Sequence, residues 1–87
     1  IDWSSAIEAD NEFISAVLTD REVEVLALYA SGETAERVAR DLYISRETVL
    51  DHIRRIRAKY AAIDRAAPSK LDLYRRAVED GIISREN

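Results

Sequence analysis

The side chains of this sequence best suited to acting on another molecule lie in one basic stretch between positions 46 and 59. Its cationic residues are Arg46, Arg54, Arg55, Arg57 and Lys59. The planar guanidinium of arginine can donate two hydrogen bonds at once, either to the edge of a guanine or to a phosphate. From charge alone, the stretch could equally be a solvated face balanced by nearby acids. Which interpretation holds depends on the elements that position these residues.

The composition argues against the common enzyme classes. The 87 residues contain no cysteine and one histidine, His52, so a thiolate metal site and a histidine cluster are both excluded. The sequence shows neither a Gly-rich phosphate loop nor a Ser-His-acid arrangement. We therefore expect no enzymatic activity, no cofactor and no bound metal. His52 is interpreted as a packing or hydrogen-bonding residue.

The charge is unevenly distributed along the chain. The formal net charge is -4, which by itself disfavours a polyanionic partner. However, the first 24 residues are strongly acidic, with Arg21 as their only basic residue, whereas most Lys and Arg lie between positions 37 and 76. The second half can therefore present a basic face.

Several features predict a cytoplasmic location with no membrane partner. The absence of cysteine favours a reducing compartment, and no apolar run approaches the roughly 18 residues of a membrane span. The acidic start, Ile1-Asp2-Trp3, does not resemble a signal peptide. Because the chain contains no methionine, we interpret it as a fragment of a longer protein.

The expected fold class is all-α, a small four-helix bundle that contains a helix-turn-helix motif. The sequence is 47% hydrophobic and 34% charged, with two glycines and one proline, which suits a single helical domain. Residues 1–17 have only partial helical spacing and no strong cap. We interpret them as a linker that could include one additional helix.

Capping signals predict the first helix. Thr19 followed by Glu22 forms a capping box, in which each side chain accepts a hydrogen bond from the backbone of the other residue. This signal starts a helix at Asp20. Gly32 suits the position just beyond a helix end, so the helix stops near Ser31.

The middle of the chain predicts two helices joined by a tight turn. Thr34 can cap a short helix that ends near Leu42. Residues 43–45 then form the turn, and a longer helix runs from Arg46 to Tyr60. The apolar positions of this longer helix recur every three or four residues and should pin one face to the core; they are Val49, Ile53, Ile56 and Tyr60.

A fourth helix should follow the connection at residues 61–68. Ser69 and Asp72 repeat the capping signature, and the helix should end near Gly81. Its inward residues are expected to be Leu71, Tyr74 and Val78. Leu73 and Ala77 would then lie on the opposite, exposed side, where apolar residues can indicate a partner.

Two helices joined by a three-residue turn describe a helix-turn-helix unit from about Thr34 to Tyr60. On a helix with 100 degrees per residue, the face opposite the apolar stripe carries Glu47, Asp51, Arg54, Arg55 and Ala58, flanked by Arg46, Leu50 and Arg57. Arg54 is the first candidate for reading a base. Positions at the groove edge, which would contact phosphates, are Arg46, Thr48, Arg55 and Lys59. The predicted DNA-binding residues are thus Arg46, Glu47, Thr48, Leu50, Asp51, Arg54, Arg55 and Lys59.

Several motifs occur together in the register of a known family. They are Leu18-Thr19-Asp20-Arg21-Glu22, Val25-Leu26, Val38-Ala39, Ile44-Ser45, Thr48-Val49, His52 and Lys59. Over residues 18 to about 82, the sequence resembles the LuxR/NarL/FixJ helix-turn-helix domains. The resemblance implies a transcriptional regulator whose domain, residues 18–87, binds double-stranded DNA as a homodimer.

The resemblance also implies a place within a longer protein. Such domains are commonly the output end of a two-component response regulator, behind a phosphorylatable receiver domain, and residues 1–17 would be the interdomain linker. RNA polymerase is a further expected partner. In this family the fourth helix often supplies the dimer contact, which would involve Leu73 and Ala77.

The sequence departs from the family pattern on the predicted reading face. Leu50 stands where the family usually has a lysine, and Asp51 follows it. An aspartate repels phosphate but can accept a hydrogen bond from cytosine N4, and a leucine can contact a thymine methyl group. Two alternatives stay open: a promoter-reading region like that of a sigma factor, and a protein-interaction module that has lost strong DNA binding.

Overall fold

The structure is a computed structural model that describes residues 16–83. This region contains four helices: α1 (Asp20–Ala30), α2 (Ala35–Leu42), α3 (Arg46–Ala62) and α4 (Lys70–Glu79). Over the same region there is no strand, so the all-α prediction is confirmed. The predicted linker helix falls almost entirely outside the described residues. Within residues 16–83, none of the helices combines the length and apolar character needed to cross a membrane.

Both predicted capping boxes are present. At the start of α1, the Thr19 hydroxyl accepts from the Glu22 N–H at 3.1 Å, and the Glu22 carboxylate accepts from the Thr19 N–H at 3.0 Å. At the start of α4, Ser69 and Asp72 form the same pair of bonds, at 3.1 and 3.3 Å. The hydrogen bonds from Ser69 lower the pKa of the Asp72 carboxyl. Local sequence therefore fixes where these helices begin.

The connection between α2 and α3 is the tight turn expected of a helix-turn-helix. Tyr43 ends α2 in the left-handed conformation, with φ of 59°. The Ile44 N–H donates to the Ala39 carbonyl at 3.0 Å, and the Ile44 side chain packs against the core. Ser45 caps α3, because its hydroxyl accepts from the Thr48 N–H at 3.0 Å. The turn therefore sets the angle at which α3 leaves α2.

The core is centred on one face of α3. The predicted stripe is confirmed, since Val49, Ile53, Ile56 and Tyr60 are all at most 3% exposed. This helix packs against α1 and α2, and α4 packs against α1. Burying four large side chains along a single face stabilises α3 by several kcal/mol, at about 1.5–3 kcal/mol each. The opposite face of α3 is therefore not required for core packing.

The predicted orientation of α4 was wrong. Leu73 and Ala77 are fully buried, whereas Leu71 is 60% exposed and Tyr74 and Val78 are half-buried. Leu73 and Ala77 form one i, i+4 row, and the small Ala77 side chain allows α4 to approach α1 closely. The exposure that made Leu73 and Ala77 candidates for a dimer contact is therefore not present.

Candidate nucleic-acid interface

The outward face of α3 carries most of the polar residues predicted to contact DNA. Arg46, Glu47, Arg54 and Arg55 are exposed, and Asp51 is partly exposed. Because α3 is anchored through its opposite face, this surface is held rigidly while its side chains remain solvated. Long cationic side chains on a rigid convex helix suit insertion into the major groove of DNA.

The first turn of α3 has a polar edge built from its cap. The Ser45 and Thr48 hydroxyls are 2.8 Å apart. The Arg46 Nε lies 2.9 Å from a Glu36 carboxylate oxygen on α2, with the two side chains 50% and 61% exposed. Exposed pairs of this kind contribute only about 0–1 kcal/mol. Arg46 can therefore exchange Glu36 for a phosphate at little cost.

Arg54 is an exposed cation whose partner lies on α3 itself. Its side chain is 73% exposed, and its guanidinium donates to the Asp51 carboxylate one turn earlier on the same helix. The bond uses one edge of the guanidinium and leaves further N–H groups free to donate. Asp51 and Arg54 thus form one unit on the outward face rather than two independent charges.

Lys59 is held differently from its predicted role at the groove edge. Its ammonium donates to the Glu22 carboxylate at 2.7 Å, and the Glu22 side chain is only 4% exposed. Burial would raise the pKa of the Glu22 carboxyl, but hydrogen bonds from Lys59 and from the Thr19 N–H outweigh it and lower the pKa. The structure thus gives Lys59 a bond that ties α3 to α1.

Leu50 contributes less surface than predicted. It is half-buried and packs against the core. It also borders an open groove of about 260 Å³ between α1 and α3, lined by Tyr29, Leu50, Ile53, Arg54 and Arg57. The Arg57 Nε is buried there without a hydrogen-bond partner in the described part of the chain. Only the outer part of Leu50 is available to a ligand.

His52 lies beside the core, as interpreted from the sequence. It is half-buried, and its Nδ1 has no hydrogen-bond partner among residues 16–83. Its proximity to Glu22 contributes to the lowered pKa of that carboxyl. Over the same residues, no group of three or more metal-ligating side chains could hold an ion. The structure thus shows His52 as a half-buried side chain near Glu22.

A polar network that sequence reasoning missed secures the carboxyl end of α3. The buried Arg65 side chain contacts Glu79 at 2.7 Å and Asp80 at 2.9 Å, and the Tyr60 hydroxyl donates to Asp80 at 2.7 Å. Burial raises the pKa of the Tyr60 phenol, and the bond to Asp80 adds to the shift. The bonded partners in this network are 14 to 20 residues apart in sequence, so no local sequence pattern predicts them.

The fold and this surface together define a helix-turn-helix domain. Residues 16–74 match the family model described as bacterial regulatory proteins, luxR family. The match covers more than half of the chain, and the chain belongs to this family. The resemblance noted in the sequence is therefore confirmed, and it favours this family over the sigma-factor alternative.

Curated relatives match over the same region. Transcriptional regulatory protein LnrK of Bacillus subtilis (strain 168) is 42% identical over 59 residues, which are 68% of this chain and 26% of that protein. Probable transcriptional regulatory protein NarL of Mycobacterium tuberculosis (strain ATCC 25618 / H37Rv) is 39% identical over 54 residues, 62% of this chain and 25% of that protein. The chain thus spans about a quarter of the length of these relatives. No solved structure matches the chain.

Proposed function

We propose that this chain is the DNA-binding output domain of a transcriptional regulator of the response-regulator type, with α3 reading the major groove. The observation that carries the proposal is the division of α3 into two faces. One face is fixed in the core by four nearly fully buried residues, and the opposite face presents Arg54 and Arg55 to solvent. Membership of a family of bacterial regulatory proteins supports the same function and a binding role rather than a catalytic one.

Individual residues take separate roles in this proposal. Arg54 reads a base, because its side chain is 73% exposed on the outward face of α3 and its planar guanidinium can donate to the edge of a guanine. Arg46, Thr48 and Arg55 contact phosphates at the groove edges, where they supply affinity and salt dependence without sequence information. Glu47 and Asp51 restrict which sequences fit, since a carboxylate on the reading face repels phosphate and accepts from cytosine N4.

The local charge pattern supports DNA binding despite the net charge of -4. Two acids near the reading face, Glu36 and Asp51, are each paired with an arginine, which reduces the negative field that they present to a phosphate. Arg55 is exposed on the same helix. The surface facing DNA is therefore less acidic than the whole chain.

We also propose the assembly in which this domain works. The relatives are regulators about four times the length of the matched segment, which supports a receiver domain joined through a linker at residues 1–17. The domain would act in the cytoplasm as a homodimer on DNA, with RNA polymerase as a further partner. A dimer contact through α4 would use its exposed side, which carries Leu71, Tyr74 and Val78.

The test begins with binding of the chain to a pool of random duplexes, from which the retained DNA is selected and sequenced. Fluorescence anisotropy at two salt concentrations then measures the affinity. We expect enrichment of a repeated half-site and a steep loss of affinity with salt. No binding at low salt would refute the proposal and favour the protein-interaction module.

A matched pair of variants separates the reading face from general charge. Arg54→Ala with Arg55→Ala removes two exposed cations from α3 and should weaken binding and reduce enrichment. Arg21→Ala with Arg75→Ala removes two exposed cations from α1 and α4 and should preserve it. Equal losses for both pairs would show that net charge, not α3, drives the binding.

A further inference from the structure

We infer that Asp51 is a specificity-determining residue that acts through Arg54, and that the two side chains together select a G·C base pair within the bound site. This inference rests on the proposed function of α3. Its basis is the hydrogen bond between the Arg54 guanidinium and the Asp51 carboxylate on the exposed face of the helix. Both side chains face solvent, being 73% and 50% exposed, so this bond is made where DNA would lie.

The bond restricts the directions in which Arg54 can donate. A free arginine on a helix surface samples many rotamers and can reach phosphates as well as bases. While Asp51 accepts from one terminal nitrogen, the remaining N–H groups sample fewer orientations relative to the helix. A planar donor pair restricted in this way matches the O6 and N7 acceptors of guanine.

The carboxylate keeps accepting capacity of its own. The bond to Arg54 uses Asp51 Oδ1, and an ionised carboxylate offers about four lone-pair sites. The remaining sites can accept from a cytosine N4 amino group, whereas they repel a phosphate that approaches closely. Asp51 thus favours one base and penalises nonspecific contact by the same charge.

The test is the specificity ratio, measured as the affinity for the selected site divided by that for a scrambled duplex. Asp51→Ala should raise affinity for scrambled DNA, because Arg54 is then free to contact a phosphate. The salt slope, which is the slope of the logarithm of the binding constant against the logarithm of the salt concentration, should steepen by about 0.9. The specificity ratio should fall about tenfold or more, with the loss confined to one G·C position. Asp51→Asn keeps the shape of the side chain, and its specificity ratio should lie between those of Asp51→Ala and the unmodified chain.

Asp41→Ala is the matched control. Asp41 is a comparably exposed acid paired with Arg37 at 3.7 Å on α2, so its removal makes the same change in charge away from the reading face. We expect Asp41→Ala to leave the base preference unchanged. The inference is overturned if Asp51→Ala and Asp41→Ala alter the specificity ratio equally, or if Asp51→Ala keeps the full G·C preference.

The double variant Asp51→Ala with Arg54→Ala tests the coupling directly. If Asp51 acts through Arg54, removing Asp51 should have little further effect on specificity once Arg54 is gone. If the two substitutions had fully additive effects on the specificity ratio, Asp51 would act independently of Arg54, and the inference would be overturned. If the unmodified chain selects no sequence, the proposed function itself fails, and this outcome is distinct from retained selection that ignores Asp51.

Discussion

Replacing Lys59 by methionine should destabilise the domain rather than weaken its contact with DNA. The substitution keeps the length of the side chain but removes the ammonium that bonds to Glu22 at 2.7 Å. Glu22 is only 3% exposed, so its carboxylate would keep the capping bond from the Thr19 N–H and lose its charged partner. The prediction therefore separates a structural ion pair from a phosphate contact.

The size of the effect follows from burial on the two sides of the pair. Leaving a fully buried charge without its partner costs about 3–5 kcal/mol. The Lys59 side chain is 36% exposed, so solvent screening reduces this figure, and the remaining cap bond reduces it again. We expect a loss of about 2 kcal/mol, which lowers the Tm of a domain of this size by about 8–16 °C.

The measurement is urea unfolding at neutral pH and in acid. Because the pKa of Glu22 in the folded state lies below its ordinary value of 4.5, the pair contributes stability above that pH and loses it as the pH falls through the folded-state pKa. The stability difference between the unmodified chain and Lys59→Met should therefore shrink as the solution is acidified from about pH 7 to about pH 3.

Glu22→Gln provides the control, since glutamine can still accept from the Thr19 N–H in a capping box. The double variant Glu22→Gln with Lys59→Met should be more stable than the sum of the single losses predicts, because no buried charge is left unpaired. The reasoning is refuted if Lys59→Met keeps the original Tm while lowering affinity for every duplex and reducing the salt slope by about one.

Four further substitutions test the rest of the structure. Arg54→Ala should relax specificity at one base pair and cost about 1–3 kcal/mol in binding, whereas Arg55→Ala should weaken binding to all sequences and lower the salt slope by about one. Fluorescence anisotropy on selected and scrambled duplexes measures both effects. If both variants lost affinity equally for every duplex, Arg54 and Arg55 would not have the separate roles of base reading and phosphate contact. Leu73→Ala should cost about 2–5 kcal/mol in urea unfolding because Leu73 is fully buried, and an unchanged unfolding midpoint would contradict its place in the core. Tyr60→Phe should cost about 1–2 kcal/mol because the buried Asp80 carboxylate loses a donor at 2.7 Å, and the same unfolding assay would show no change if that bond contributed nothing.

Local sequence determined the four helices and the helix-turn-helix, for reasons that act over a few residues. The capping boxes at Thr19 and Ser69 and the caps at Thr34 and Ser45 satisfy backbone N–H groups within one turn. The apolar stripe of α3 has a single helical period, so only one face can be buried. The polar face opposite that stripe followed directly, and with it most of the candidate interface.

Tertiary structure alone decided which face of α4 is buried and what Lys59 bonds to. Leu71, Tyr74 and Val78 recur at helical spacing, and so do Leu73 and Ala77, which makes the sequence of this ten-residue helix compatible with two orientations. Packing against α1 selects Leu73 and Ala77, because a small residue permits a closer approach of the two helices. The bond from Lys59 to Glu22 spans 37 positions, and such a pairing is specified only when α1 and α3 are packed together.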